Sequence, residues 1–409
     1  MRRCAVAAMQ IKTFSPKQRE IMRFAESDDL ALICDGSVRS GKTTVMTMAF
    51  VLWAMSHYDR TNFAICGKTV QAAERNILKP LMEIDGLGAA LSMSYKVSTR
   101  VLTVRCGSVT NWFYLFGGKD ESSYMLIQGI TLAGVLFDEV ALMPRSFVEQ
   151  ALSRAISFER PKYFFNCNPE SPNHWFYQEW IKTPRENTRH IHFLLDDNPV
   201  LTPQMIERTK AMYSGVFYDR YIRGLWVVAE GLVYPMFSHE RNITSERGGP
   251  GTYYISCDYG TQNPTAFGLW RVNGGLAVME KEYYHSGRAT NRQKTDEEYY
   301  QDLEQFADGY KIERIIIDPS AASFAECIRR HGKFAVWKAN NSVLDGIRLT
   351  GALLQSGRLK FHESCVHAFE EFGLYSWAKD TPEDAVIKEN DHVMDSIRYL
   401  CMTVLRRAL

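Results

Sequence analysis

The sequence predicts an α/β protein of two domains, the first built on a buried parallel sheet. Three observations carry that expectation. Short apolar runs alternate with helical stretches through the first half, a glycine-rich loop joins one such run to one such stretch, and the chain has 409 residues. Single hydrophobic cores stop growing at roughly 250–300 residues, so a chain of this length is expected to divide.

The runs LALIC (30–34) and FAIC (63–66) precede the helical stretches TTVMTMAFVLWAM and TVQAAERNILKPLMEI. Strands that alternate with helices in this way make βαβ units with a parallel sheet. KVSTRVLTVRCGSVTNWFYLFGG then reads as two strands joined at Cys106-Gly107-Ser108, followed by the run LAGVLFDE (132–139), a helix from about Pro144 and the strand KYFFNCN (162–168). His190 and His192 fall in a further strand with one face exposed. From Asp196 to Trp226 the chain is helical and rich in Tyr and Arg, and AEGLVYPMFSHERNITSERGGPG has the Gly, Ser and charge content of a connection. The expected division is therefore 1–228 for the first domain, with 196–228 as a helical lid or linker subdomain, 229–250 as linker, and 251–409 for the second domain. In the latter, YYISCD, TAFGLWRV and GLAVMEKEYY read as an antiparallel meander, followed by the helical DEEYYQDLEQFADGY and the strand RIIIDPS.

Composition excludes more than it selects. The formal net charge is +1, and division at residue 250 gives 29 basic against 25 acidic residues before it and 19 against 22 after it, or +4 and −3. Bulk charge thus gives no argument for nucleic-acid binding. The nine cysteines never form C-x-x-C, which speaks against a zinc ribbon or a disulfide framework and for reduced, buried thiols. Gln10 and Lys12 interrupt the apolar start before a signal-peptide core develops. No stretch approaches the ~20 apolar residues that span a bilayer, so a soluble protein with no membrane partner is expected.

The segment Gly36-Ser37-Val38-Arg39-Ser40-Gly41-Lys42-Thr43 satisfies G-x-x-x-x-G-K-[ST] between a predicted strand and a predicted helix. In such a loop the glycines permit the tight turn and backbone N–H groups at the helix start cradle phosphates, with Thr44 in the same first turn. Lys42 reaches the β and γ oxygens, and Thr43 ligates Mg²⁺. The loop by itself implies a bound nucleoside triphosphate. The sequence Gly67-Lys68-Thr69 is a counter-example, because the spacing puts Asn62 where the first glycine belongs. Such enzymes also need a carboxylate at the end of a neighbouring strand. Asp138 is expected to serve Mg²⁺ through water and Glu139 to orient or deprotonate the attacking water, since adjacent strand residues point in different directions. Arg39 lies inside the loop, where it either reaches the γ-phosphate as an arginine finger in cis or braces the loop. Asn166 and Asn168, in Asn-Cys-Asn-Pro, end the next strand and bring amides to the nucleotide edge of the sheet; an ordinary Asn-Pro turn is the alternative.

In the second domain Asp258 and Asp318 each end a strand, and Asp395 lies in the helical DHVMDSIRYLCMTVL. If they converge, such carboxylates hold two Mg²⁺ or Mn²⁺ ions for phosphodiester cleavage. Asp391 and His392 sit within one helical turn of Asp395. His362, Cys365 and His367 also cluster, without a fourth ligand at the spacing zinc needs.

Taken in order, Phe14-Ser15-Pro16-Lys17-Gln18, the phosphate loop, LFDE, NCNP, YIRGLWVVAEGLVYPMF, CDYGTQNPTAF, IIIDPS and DHVMDSIRY resemble the large terminase subunit of tailed bacteriophages over nearly the whole chain. The resemblance implies a RecA/ASCE-like ATPase motor that pumps double-stranded DNA into a procapsid, followed by an RNase H-like nuclease that cuts concatemeric DNA. It makes Gln18 the adenine contact, Lys42 and Thr43 the phosphate-loop pair, Asp138 and Glu139 the Mg²⁺ and catalytic carboxylates, and Asn166 to Asn168 the coupling segment. Asp258, Asp318 and Asp395 become the nuclease metal ligands, with His392 beside them. Gly260 and Pro264 fit the family pattern, whereas Ser396 stands where the family often has Ala. The implied partners are DNA, a small terminase subunit and a portal protein. A ring is expected on the portal, with a monomer in solution and a location in the host cytoplasm. The rival readings are a helicase-like or recombination ATPase whose second domain binds DNA without cutting it, and a non-enzymatic assembly protein that uses nucleotide to hold its shape.

Overall fold

The computed structural model describes residues 14–84, 87–260, 263–290, 292–379, 381 and 384–406. The N-terminal stretch read above for a signal peptide lies outside these residues, as do Thr261 and Gln262 of the CDYGTQNPTAF segment. The chain forms two compact units. One runs to Ile206 and takes up Asp219–Val228, and the other takes Glu207–Tyr218 and runs on from Ala229.

The first unit is built on eight strands: β1 (Ala31–Gly36), β2 (Asn62–Gly67), β3 (Ser92–Lys96), β4 (Val101–Cys106), β5 (Val109–Gly117), β6 (Gly134–Asp138), β7 (Lys162–Asn166) and β8 (Thr188–Phe193). Their order is β3-β4-β5-β2-β6-β7-β1-β8. Every pairing from β5 to β8 is parallel, and β3 and β4 add an antiparallel edge. The expected hairpin is β4–β5, turning through Gly107; its partner β3 went unread because its burial alternates weakly at an exposed edge. Strand β7 lies between the phosphate-loop strand β1 and the acid-bearing β6, with Asn166 in register with both Cys34 and Asp138.

Helix α1 (Pro16–Phe24) starts with a capping box between Ser15 and Gln18. Helix α2 (Lys42–His57) is buried on nearly every side, as its apolar run requires. Phe50 sits at its centre, meeting Phe63, Phe113 and Phe164 edge-on with ring centroids 5.9, 5.8 and 5.3 Å away. Burial of each such side chain stabilises the fold by roughly 1.5–3 kcal/mol, so the start of α2 is a fixed point for the loop before it.

The second unit has a seven-stranded sheet of β9 (Ile243–Thr244), β10 (Thr252–Asp258), β11 (Thr265–Asn273), β12 (Leu276–His285), β13 (Ile312–Ile317), β14 (Val336–Lys338) and β15 (Leu359–His362). The order is β14-β13-β10-β11-β12-β15-β9. Strands β10, β11 and β12 form the expected antiparallel meander, whereas β13 joins β10 in parallel. Within 229–250, helix His239–Asn242 and edge strand β9 extend this sheet through β15. Helix Asp296–Phe306 begins at Thr295, whose side chain accepts from the Glu298 N–H, and packs with helix Ala322–His331 around Tyr299, Leu303, Phe324 and Ile328.

Seven of the eight described cysteines are free and buried, as expected. Cys106 departs from the expectation of wholly reduced thiols, because it is disulfide-bonded. It stands at the hairpin turn, and no sequence spacing signals that bond. Among the described residues no helix is long and apolar enough to cross a membrane.

Candidate functional site

The phosphate loop is shaped by its neighbours. Gly36 has φ 118° and lies so close to β8 that a Cβ there would be 1.9 Å from the Phe193 carbonyl oxygen. Gly41 has φ 83°, and a Cβ there would lie 2.6 Å from Gln18 Nε2. Only glycine meets both conditions. Gln18 therefore flanks the loop from α1, with its Oε1 accepting from the Ser15 N–H at 3.0 Å.

Ser37 and Val38 are held from behind. The Ser37 hydroxyl donates to the Ile222 carbonyl at 2.5 Å, and the Val38 N–H donates to the Tyr221 carbonyl at 2.9 Å. Ser40 donates to the Ser37 carbonyl at 2.9 Å. Arg39 takes a left-handed conformation with φ 55°, and its carbonyl accepts from Asn198 Nδ2 at 2.7 Å.

Lys42 is buried and curls into the loop, where its Nζ donates to the Ser37 carbonyl at 2.6 Å, the Gly36 carbonyl at 3.2 Å and Asn168 Oδ1 at 3.3 Å. Burial draws its pKa down to about 8 against the nearby acidic groups, Asp35 and Asp138 among them. Thr43 Oγ1 donates to Asp138 Oδ1 at 3.3 Å and accepts from Asn166 Nδ2 at 2.8 Å. Asn166 Nδ2 also reaches Asp138 Oδ1 at 2.5 Å, while the buried Asn166 Oδ1 has no hydrogen-bond partner. Burial raises the Asp138 pKa in spite of these hydrogen bonds.

These groups open on a cleft of about 570 Å³ lined by Val38, Arg39, Ser40, Gly41, Lys42, Thr43, Thr44, Asp138, Glu139, Asn166 and Asn168. Asn76, Asn198 and Leu201 line it as well and went unread in the sequence. Asn76 acts with Asn166 and Thr43 to draw the Asp138 pKa down against its burial. Glu139 reaches the cleft by a route other than the one expected. Strand β6 ends at Asp138, and Glu139 takes a left-handed turn with φ 58° and ψ 47°, so the divergence of the two carboxylates comes from that turn and not from strand pleating.

At the second GKT, Lys68 donates to the carbonyls of Leu142 and Lys119 at 2.6 and 2.9 Å, and Thr69 caps a short helix.

Behind the loop lies a buried acid. Asp35 Oδ1 accepts from, or shares a proton with, His190 Nε2 at 2.8 Å and His192 Nδ1 at 2.9 Å, and Trp226 Nε1 donates to Oδ2 at 2.7 Å. Burial pushes the Asp35 pKa up, but the histidine hydrogen bonds and charges outweigh it and hold the carboxyl well below its usual range. The histidine face is exposed as expected, and its two imidazoles also reach in to this acid. The i, i+2 histidines and the Asp ending LALICD are the local signal; the pairing of β1 with β8 joins them.

In the second unit Asp258 ends β10 and Asp318 follows β13, the strand beside it. Helix His392–Leu400, with Asp391 as its N-cap, crosses them with His392, Asp395 and Tyr399 on one face. His392 Nδ1 is 2.9 Å from Asp258 Oδ2. The Tyr399 hydroxyl donates to Asp318 Oδ2 at 2.6 Å and lies 3.5 Å from Asp258 Oδ1. Asp395 is instead paired with Arg398, whose Nη2 is 2.9 Å away.

Burial, with the charges of Asp395 and Asp391, raises the Asp258 pKa to about 6 against the hydrogen bond from His392. Burial also works to raise Asp318, but donation from Ser320, Tyr399 and Asn341 leaves its pKa lowered. Burial lowers and Asp258 raises the His392 pKa, with a net rise. The sequence reading missed Tyr399, although its spacing from Asp395 pointed to it. It also missed Glu371, which accepts from the Val393 and Met394 N–H groups at 2.7 and 3.1 Å through Oε2 and leaves buried Oε1 without a partner.

Ser396, the departure from the family's Ala, lies 2.7 Å from Ser256 Oγ and fastens the helix to β10 near Asp258. His362, Cys365 and His367 make separate contacts, with Arg247, the Met279 carbonyl and Glu282.

A parallel sheet carrying a glycine-rich phosphate loop, an acid at the next strand end but one, and a second α/β unit with strand-end aspartates define a phosphate-loop nucleotide-binding protein with a second acidic site. Residues 33–241 match the family described as terminase large subunit, T4likevirus-type, N-terminal. The large terminase of a thermophilic bacteriophage is 45% identical over 96% of this chain and 100% of that one, with a TM-score of 0.91. Its complex with ADP superposes with a TM-score of 0.88 at 44% identity over the same shares of the two chains. The terminase large subunit of Escherichia phage T5 is 23% identical over 291 residues, which are 66% of this chain and 65% of that protein. The chain thus spans just under two thirds of that curated relative. It belongs to the terminase large-subunit family.

Proposed function

We propose that this chain is an ATP-driven motor that translocates double-stranded DNA into a procapsid, and a metal-dependent endonuclease that cuts concatemeric DNA. The motor domain is assigned to residues 1–228, with 196–228 as its helical subdomain although Glu207–Tyr218 counts in the second compact unit, and the nuclease to 251–409, whose sheet takes β9 from the proposed linker 229–250. The observation that carries the reading is the convergence of Lys42, Thr43, Asp138 and Asn166 on one cleft. The thermophilic-phage terminase in complex with ADP supports ATP as the fuel.

Lys42 gives up its loop carbonyls to hold the β and γ oxygens, and Gln18 contacts the adenine. Arg39, rooted through Asn198, faces the γ-phosphate as the second cation. Glu139 accepts a proton from the attacking water. The donor set of Thr43 Oγ1, Asp138 Oδ1 and the unpartnered Asn166 Oδ1 suits Mg²⁺, a hard cation that takes oxygen ligands.

Asp258, Asp318 and Asp395, with His392 beside them, are assigned to hold two Mg²⁺ or Mn²⁺ ions. The aspartates' all-oxygen donor set would suit Mg²⁺ or Mn²⁺, hard cations that take oxygen ligands. When bound, the ions activate water and stabilise the leaving oxygen in phosphodiester cleavage. Tyr399 fixes the Asp318 carboxylate, and Arg398 that of Asp395. DNA, a small terminase subunit and a portal ring are the proposed partners, met in the host cytoplasm and at the procapsid.

Paired assays test the reading. Lys42→Ala is expected to abolish ATP turnover while Mn²⁺-dependent plasmid cutting persists, and Asp318→Ala to do the reverse. Cutting by Asp318→Ala at the parent rate would overturn the nuclease assignment, and turnover by Lys42→Ala at the parent rate would overturn the motor.

A further inference from the structure

Among the described residues, three ligand-bearing side chains of different chemistry that belong to neither site come together in the second unit. Glu297 is the second residue of helix Asp296–Phe306, and Cys327 and His331 lie four residues apart on helix Ala322–His331. That spacing puts the thiol and the imidazole on one helix face, turned to the carboxylate of the neighbouring helix. His331 Nε2 is 2.7 Å from Glu297 Oε2, the Cys327 thiol is 3.5 Å from Glu297 Oε1, and the three ligand atoms lie within 4.8 Å of one another.

We propose that Glu297, Cys327 and His331 form a zinc site that pins these two helices together. A tetrahedral zinc ion with Zn–S of about 2.3 Å and Zn–N or Zn–O of about 2.0–2.1 Å sets its ligands roughly 3.4–3.6 Å apart. The thiol lies at that spacing from Oε1, whereas the imidazole sits against the other oxygen, Oε2, and that hydrogen bond gives way as the metal binds. The imidazole is held in plane by Tyr300, with ring centroids 3.7 Å apart and 7° between planes. This presents Nε2 in a fixed direction. A thiolate, a carboxylate and a neutral imidazole balance the charge of Zn²⁺, and a water completes the fourth position. The thiol proton leaves to solvent as the metal binds.

Cys327 is buried and the other two ligands are exposed, so the sulfur is shielded and the metal enters past Glu297 and His331.

The site stands apart from the proposed ATPase and nuclease chemistry. Asp258, Asp318 and Asp395 offer oxygen and no sulfur, so a cobalt–thiolate charge-transfer band reports on Cys327 and not on them. The full chain is titrated with Co²⁺ under nitrogen. A thiolate charge-transfer band is expected that saturates at one equivalent and is displaced by Zn²⁺. It should vanish in Cys327→Ser and persist in Cys365→Ser. His331→Ala should weaken Co²⁺ binding by more than the roughly 10–100-fold lost when an outer-shell partner is removed. A parent without the band at millimolar Co²⁺, or a Cys327→Ser chain that keeps it, overturns the site. Should Cys327→Ser fail to fold, His331→Ala decides, because its side chain is exposed: parent-like Co²⁺ affinity there also overturns the proposal.

Discussion

The Tyr399 hydroxyl donates to Asp318 Oδ2 at 2.6 Å while lying 3.5 Å from Asp258 Oδ1, so one phenol spans two strand-end acids. A hydrogen bond to a charged group is worth about 1.5–3 kcal/mol. Tyr399→Phe is therefore expected to slow Mn²⁺-dependent DNA cutting by roughly 10- to 100-fold. The loss should be reduced at higher Mn²⁺, with ATP turnover unchanged. A metal titration of plasmid cutting tests this, and parent-like cutting at low Mn²⁺ would remove Tyr399 from the site.

Lys42 predicts a pH dependence for nucleotide binding. Burial lowers its pKa to about 8, so the side chain carries its charge below that pH and loses it above. Phosphate oxygens favour the charged form. Apparent affinity is expected to fall as pH rises through about 8, with proton uptake on binding at pH 8.5. Calorimetry in buffers of different ionisation enthalpy reads that uptake directly. Heats that do not depend on the buffer would contradict it.

Glu371 predicts a stability change of definite sign. Burial raises its pKa from 4.5 to about 7, so between those values the unfolded chain has released a proton that the folded chain keeps. Stability falls as pH rises across that window, by roughly 3 kcal/mol when complete. Glu371→Gln keeps an acceptor for the Val393 and Met394 N–H groups and cannot ionise. Its midpoint in chemical unfolding should approach the parent's at pH 5 and move above it by pH 8. A gap that stays constant with pH would refute this.

Asp35 is expected to be the most damaging conservative change behind the loop. Asp35→Asn removes the charge and leaves too few acceptor sites for His190, His192 and Trp226. Breaking a buried charged pair costs roughly 3–5 kcal/mol. Equilibrium unfolding followed by tryptophan fluorescence measures the loss, and one below about 1 kcal/mol would show that the three donors find other partners. Because the Asp35 pKa lies below its unfolded value, its contribution is present above the unfolded pKa and fades as acid protonates the folded form.

Much of this architecture is legible residue by residue. The glycines and lysine of 36–43 announce their loop because φ angles, the helix start and phosphate chemistry all act within eight neighbouring residues. Asp138, Asp258 and Asp318 are readable for a similar reason, since an acid that closes an apolar run marks where a buried strand meets its polar edge. The alternation of strands and helices, and the meander after residue 250, follow from side-chain periodicity.

Strand order and register are another matter, because they depend on packing between segments far apart in the chain. Asn166 touches both Thr43 and Asp138 only because β7 lies between β1 and β6. His190 and His192 meet Asp35 only because β8 pairs with β1 in that register. Tyr399 spans two acids only because its helix crosses β10 and β13, and Glu297 meets Cys327 and His331 only because two helices pack side by side. The sequence by itself therefore determined which elements form and which residues bear the chemistry, through local backbone and periodicity constraints. Which of those residues share a proton, a charge or a ligand sphere was decided by the tertiary structure alone, since burial and non-local packing set those distances.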